Sequence, residues 1–87
     1  MDKGNKDLIE LIIVNPDRIV FEGKAKRIFV PGKIQELAIL PDHAPLYSEL
    51  LEGEIIIEEE NDKKTVKKID GGILRIKNNL AKILVGF

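Results

Sequence analysis

Residue types that could support catalysis are scarce in this sequence. It contains one histidine, His43, one serine, Ser48, and no cysteine. A protein zinc site needs several cysteine or histidine ligands, so the sequence offers none. Ser48 lies five residues after His43 and lacks the flanking glycines of a nucleophile elbow. A hydrolase with His43 as its base and Ser48 as its nucleophile is one hypothesis, and it requires these side chains to meet.

Phosphate chemistry has equally little support. Gly32 and Lys33 look like the end of a phosphate-binding loop. However, Ile34 follows where the motif has Ser or Thr, and Arg27 replaces its first glycine. We therefore predict that the chain by itself has no catalytic activity, no cofactor and no metal.

The charged residues are concentrated near one predicted hairpin. Its acidic members are Glu58, Glu59, Glu60 and Asp62, and its basic members are Lys63, Lys64, Lys67 and Lys68. Opposite charges on neighbouring strands stabilise each other across an exposed face. We interpret the cluster as such a solvated hairpin, and a binding patch is the alternative.

The only imidazole occupies a stiff segment. Pro41 and Pro45 flank His43 and lie four residues apart. Each proline fixes its φ angle and lacks an amide donor, so the segment is expected to be a rigid bend. Such a bend could present His43 to a partner. Alternatively, the ring could simply cap a turn.

The elements that must position this bend are short strands. Prolines and glycines divide the sequence into runs of four to eight residues rich in Ile, Val and Leu. This pattern predicts an all-β sandwich or barrel. The predicted strands are Leu8–Val14, Ile19–Glu22, Ala25–Val30, Glu36–Leu40, Leu46–Leu50, Glu54–Glu60, Thr65–Asp70, Ile73–Lys77 and Leu80–Val85. The Asn78-Asn79 pair is suited to a tight turn with positive φ angles.

Alternation along the strands predicts which residues are buried. Leu40 and Ile57 are expected in the core. Ile12 and Ile56 add apolar character to the opposite faces of their strands. A second apolar face indicates a partner or an edge where two sheets close, although single exposed apolar residues are also common.

Length and charge limit the class of protein. The chain has 87 residues and a formal net charge of −1. The length suits one domain, predicted over 8–87 after a polar, flexible segment at 1–7. The near balance of charges argues against nucleic-acid binding. Leu11–Val14 is a typical apolar run, far shorter than a membrane span, so any contact with a membrane machine would be indirect.

Four motifs occur in an order that resembles a known family. Asn15–Gly23 ends in Phe-x-Gly, Val30–Leu46 contains Pro-x-His-Ala-Pro-Leu, Gly53–Ile57 is a Gly-led strand, and Asp70–Ile76 contains Gly-Gly-Ile-Leu. Together they resemble the N-terminal β-sandwich domain of the epsilon subunit of F-type ATP synthases, from about Leu8 to Val85.

The resemblance implies a flattened sandwich of about ten short antiparallel strands and a non-catalytic role. It implies a central-stalk subunit that passes rotation of the c-ring to the gamma subunit and the catalytic head. The residues that match the family's partner contacts are Glu36 and His43. It also implies a peripheral location on the cytoplasmic face of the inner cell membrane. The isolated protein is expected to be a monomer.

This sequence departs from the family at two points. Gln35 and Ala38 replace glycines of the Gly-Glu-Leu-Gly motif, and the chain ends at Phe87 without the family's C-terminal helical hairpin. Either the protein naturally lacks this hairpin or the sequence is the head domain of a longer protein, and in both cases we assign neither nucleotide binding nor autoinhibition to these residues. The alternative function is a free-standing β-sandwich that binds a small ligand or carbohydrate beside His43 and Tyr47.

Overall fold

The computed structural model describes residues 7–86, and it contains eight strands and no helix in that range. The strands are β1 (Ile9–Val14), β2 (Ile19–Val30), β3 (Leu37–Ile39), β4 (Leu46–Leu50), β5 (Gly53–Glu59), β6 (Lys64–Ile69), β7 (Gly72–Lys77) and β8 (Leu80–Val85). The predicted all-β class is confirmed, and no helix in the described range could cross a membrane. The predicted flexible segment falls mainly on residues 1–6, which lie outside the described residues.

The strands form one continuous sheet in the order β4-β7-β8-β1-β2-β5-β6, and β3 pairs with β2. All pairs are antiparallel except β1 with β8. Parallel neighbours need a long connection, and here the rest of the chain provides it between the first and last strands. The sequence predicted only antiparallel pairs, so this parallel pair was not expected. Turn signals between neighbouring strands carry no information about a pairing of the first strand with the last.

β2 is a single strand of twelve residues that does not break at Gly23, where the sequence analysis divided it. Gly23 pairs with Leu11 in the ladder. The irregularity lies instead between Ala25 and Arg27, where the register with β5 shifts. Before this bulge the odd-numbered Ala25 is buried, and after it the even-numbered Ile28 is buried. The bulge therefore bends β2 so that both its halves face one core. This merger helps explain why there are eight strands instead of about ten.

The core contains alternate residues from both halves of the sheet, mainly isoleucines. Its largest fully buried members are Ile9, Leu11, Ile13, Ile28, Val30, Ile39, Ile55, Ile57, Leu74, Ile76 and Ile83. The prediction for Ile57 is confirmed. The prediction for Leu40 is wrong, since this side chain is 47 % exposed. β3 ends at the buried Ile39, so alternation turns the next side chain outward.

The charged hairpin agrees only in part with its interpretation. The register places Lys64 opposite Glu58 and Lys68 opposite Glu54 across β5 and β6. The Glu58 carboxylate nevertheless accepts a hydrogen bond from Arg27 Nε on β2, at 2.7 Å. Lys26 similarly pairs with Asp62. Two acidic residues therefore bind the bulged part of β2, which ties the hairpin tip to the centre of the sheet.

Candidate functional site

His43 ends a tight turn that follows β3. Its amide donates to the carbonyl of Leu40 at 3.1 Å, and Asp42 within the turn has a φ of 61°. The imidazole is half-buried, and its Nδ1 lies 2.7 Å from the Ala44 carbonyl oxygen. Because a carbonyl only accepts, this contact requires a proton on Nδ1. One ring nitrogen therefore stabilises the bend, while Nε2 makes no hydrogen bond within residues 7–86.

Asn79 holds this bend against the body of the protein. Its side-chain oxygen accepts a hydrogen bond from the Asp42 amide at 2.8 Å, and its side-chain nitrogen donates to the Leu8 carbonyl at 2.9 Å. Its own carbonyl accepts from the amide of Glu10 at 3.2 Å. One residue of the β7–β8 turn thus connects the His43 bend with the start of β1.

The sequence by itself predicts only a turn-forming role for Asn79. Both Asn78 and Asn79 do have positive φ angles, 53° and 60°, which confirms the predicted turn. Glycine is the usual second residue of such turns. An asparagine in place of that glycine is the only indication in the sequence that the side-chain amide of Asn79 forms hydrogen bonds outside the turn.

Glu36 lies in the loop between β2 and β3, and its side chain is exposed. The loop is fixed at its start, where the Lys33 amide donates to the Glu49 carbonyl at 3.0 Å. A Cβ on Gly32 would lie 2.4 Å from the Gln35 carbonyl oxygen, so the turn requires glycine there. Gln35 and Ala38 do not adopt positive φ angles, so neither needs the glycine found in the family motif.

The two predicted contact residues do not form one site. Glu36 precedes β3 and His43 follows it. At about 3.3 Å per residue, this strand separates its two ends by about 10 Å. The structure therefore places the two polar side chains apart, one before β3 and one after it.

The catalytic and ligand-binding alternatives find no support in the geometry. The Ser48 hydroxyl donates to the Glu49 carbonyl at 3.2 Å, and the His43 ring binds the Ala44 carbonyl, so the pair is not a dyad. No group of His, Asp or Glu side chains in residues 7–86 could hold a metal ion. His43 lines none of five surface grooves found on the described chain, whereas Tyr47 lines two of them.

Two of these grooves have nearly equal volumes and opposite charge. The basic groove, of about 730 Å³, is lined by Leu8, Glu10, Lys24, Arg75, Lys77, Asn78, Asn79, Leu80 and Lys82. The acidic groove, of about 720 Å³, is lined by Tyr47, Glu49, Leu50, Leu51, Glu52, Asp70, Gly71, Gly72, Ile73 and Gly86. They lie at the two ends of β7, and the basic groove shares Asn79 with the His43 bend.

Comparison of the sequence with protein families gives one match that covers almost the whole described chain. Residues 8–86 match the model of the ATP synthase, Delta/Epsilon chain, beta-sandwich domain. An ATP synthase epsilon chain from Nitratiruptor sp. is 38% identical over 79 residues, which is 91% of this chain and 61% of that protein. One from Xanthomonas axonopodis pv. citri is 34% identical over 73 residues, covering 84% of this chain and 52% of that protein. This chain therefore spans about half to three-fifths of the relatives' length.

Solved structures give the same fold at lower identity. A chain of the Euglena gracilis mitochondrial ATP synthase OSCP/F1/c-ring structure superposes with a TM-score of 0.87 and 21% identity, over 98% of this chain and 54% of that one. A chain of the Tetrahymena thermophila mitochondrial ATP synthase central stalk and c-ring structure gives a TM-score of 0.75 and 20% identity, over 99% and 67%. At these identities the likeness establishes the fold.

Proposed function

This chain belongs to the ATP synthase delta/epsilon chain β-sandwich family, and from that premise we propose that it is a central-stalk subunit of an F-type ATP synthase. It couples rotation of the c-ring to the gamma subunit and the catalytic head while an ion gradient drives ATP synthesis. It performs no chemistry itself. Its work is mechanical, and it depends on surfaces that keep their shape under load.

The observation that carries this proposal is the braced bend at His43. Pro41 and Pro45 restrict the backbone, the Ala44 carbonyl fixes the ring, and Asn79 attaches the bend to the β7–β8 turn and to the residue before β1. A contact that transmits torque binds more tightly when its residues are already held in place, because little conformational freedom remains to be lost on binding. Nε2 of His43 is then available to form a hydrogen bond with a partner.

Glu36 supplies the second contact. Its carboxylate is exposed on a loop that Gly32 and the Lys33 amide hold in shape. A carboxylate at a wet rim can accept hydrogen bonds from polar or cationic loops. Because β3 separates it from His43, the two residues can touch different subunits, which suits a domain placed between the gamma subunit and the c-ring.

This role places the protein at the periphery of the cytoplasmic face of the inner cell membrane. The domain touches the membrane rotor through protein contacts and inserts no segment of its own into the bilayer. It binds no nucleic acid, and in isolation it is a monomer.

Co-elution with the purified gamma subunit from the same organism tests the proposal. We expect a complex at micromolar concentration by size-exclusion chromatography. We also expect His43→Ala and Glu36→Ala to weaken assembly. Glu36→Ala should change the free energy of unfolding by less than about 0.5 kcal/mol, as is usual for surface changes, whereas His43→Ala also loses the hydrogen bond to the Ala44 carbonyl and should cost about 0.5–1.5 kcal/mol. Separate elution of the folded wild-type chain and gamma at that concentration would refute the proposed role.

A further inference from the structure

The basic groove brings together an excess of positive charge on the described surface. Lys24, Arg75, Lys77 and Lys82 are all exposed there, and Glu10 is the only carboxylate in the lining. None of these four cations forms an ion pair within residues 7–86, whereas Lys26, Arg27 and Lys33 each do. The whole chain nevertheless has a net charge of −1, so the positive charge of this groove is a local property.

The placement of two of these cations works against folding. Arg75 and Lys82 face each other directly across the β7–β8 ladder. Like charges in directly opposite positions destabilise a sheet. The same sheet places opposite charges together at Glu10 with Lys24, which line this groove, and at Glu54 with Lys68 on β5 and β6. A like-charge pair that adds nothing to the stability of the fold is typical of a surface that serves binding.

The cations are spread along the groove and do not converge on one point. They stand on β7, β8 and β2, and β1 lies between the last two. At about 4.8 Å between neighbouring strands, the groove is about 14 Å wide from β7 to β2. A single phosphate would meet only one or two of these side chains. Carboxylates on alternate residues of an extended peptide lie about 7 Å apart, so two or three of them match this spacing.

The floor of the groove also suits a peptide. Leu8 and Leu80 lie between the charged residues, and Asn78 and Asn79 add amide groups at one end. An extended segment could therefore place an apolar side chain between its acidic ones. A broad anionic surface, such as a bilayer, would instead meet the acidic residues of the rest of this chain.

We propose that the basic groove binds an acidic, extended segment of a protein partner. Arg75, Lys77 and Lys82 form charge-assisted hydrogen bonds with its carboxylates, and Leu80 contacts an apolar side chain between them. This proposal does not depend on the assignment to a rotary stalk. It assigns a surface that is distinct from Glu36 and from the imidazole of His43.

A titration of the isotopically labelled 87-residue chain with a synthetic peptide of alternating glutamate and leucine tests this proposal by NMR. The expected result is that amide shifts concentrate on β7, β8 and β1, and that added salt weakens binding because it screens exposed charges. The same peptide with glutamine in place of glutamate should bind at least about tenfold more weakly.

Two variants identify the site. R75E/K82E keeps a like-charge pair, so it should fold as the wild type does but lose at least about tenfold in affinity for the acidic peptide. The matched control, K63E/K64E, makes the same change of charge on the β5–β6 hairpin and should retain binding. Equal affinity in both variants, or no shifts at all, would overturn the proposal. Pyrophosphate or anionic phosphatidylglycerol vesicles binding through Arg75 and Lys82 more tightly than the peptide would overturn the choice of occupant.

Discussion

The two oppositely charged grooves differ in what holds their charges. In the basic groove the cations stand on strands whose inner faces belong to the core. In the acidic groove two of the three carboxylates, Glu52 and Asp70, lie outside the strands, and Glu49 is approached by Lys33 at 3.4 Å. Side chains on strands are held more firmly than those on loops. The two grooves therefore have nearly equal volumes but differ in how firmly their charged side chains are held. The groove built on strands is the better prepared for binding.

The largest expected effect comes from removing the support of the basic groove. Ile76 is buried between Arg75 and Lys77, so Ile76→Ala should lower the free energy of unfolding by about 2–5 kcal/mol through lost burial and a cavity. Urea denaturation measures this change. Leu51→Ala is the control in the acidic groove, where the side chain is 46% exposed, and should cost less than about 0.5 kcal/mol. Similar losses in both variants would remove the distinction between the grooves.

The next effect concerns Asn79, which joins the basic groove to the His43 bend. Asn79→Gly tolerates the positive φ angle but loses both side-chain hydrogen bonds, so it should cost about 1–3 kcal/mol. The amide of Asp42 should also exchange faster with solvent. Asn78→Gly, which keeps every one of these bonds, is the control. Unchanged exchange at Asp42 in Asn79→Gly would show that this amide does not hold the bend.

A smaller effect with the opposite sign is expected at the like-charge pair. Lys82→Glu places a carboxylate opposite Arg75, so it should raise the free energy of unfolding by about 0.2–1 kcal/mol. The same change should weaken binding of the acidic peptide. Urea denaturation at low and high salt measures the first part, and the gain should shrink as salt screens the pair. A loss of stability at low salt would contradict the electrostatic explanation.

The smallest effect belongs to a charge that already has its partner. The hydrogen bond from Lys26, and then its positive charge, hold the pKa of Asp62 below the ordinary value of 3.8. Because the folded pKa is below the unfolded one, the stabilisation is complete above the unfolded pKa and disappears as the pH falls through the folded value.

An NMR titration of the Asp62 carboxyl carbon measures this shift. Lys26→Gln should return the pKa towards the ordinary value, whereas Lys33→Gln, which alters a different ion pair, should leave it in place. No change in Lys26→Gln would contradict the pairing. Removing a charge that has a partner in the folded chain should therefore change the pKa of that partner. Removing an unpaired cation of the basic groove should instead weaken binding of the acidic peptide.

Much of the fold was predictable because its signals are local. Period-two alternation identified the buried Ile57, and the Asn78-Asn79 pair identified the final hairpin. The bulge between Ala25 and Arg27 was not predictable, because Gly23 gives a stronger local signal for a break than the lysine at the actual site. The exposure of Leu40 depends on where β3 ends, and strand ends are the least certain part of such reasoning.

The candidate site was predictable to a lesser degree. His43 stood out because it is the only imidazole and lies between two prolines, and its half-buried position on a bend is what the structure shows. The role of Asn79 depends on its contacts with Asp42 and Leu8, which are separated from it by 37 and 71 positions in the sequence. No local pattern reveals such contacts. The charge of the basic groove is equally hidden, since its residues come from separate strands.

A cryo-EM map of the assembled ATP synthase that contains this chain would test the central claim most directly. The deciding quantity is the distance from His43 Nε2 and from the Glu36 carboxylate to the nearest atom of another subunit. We predict that each group lies within hydrogen-bond distance of the gamma subunit or of a c-ring loop. A map in which the domain occupies the stalk while solvent surrounds both groups would contradict it.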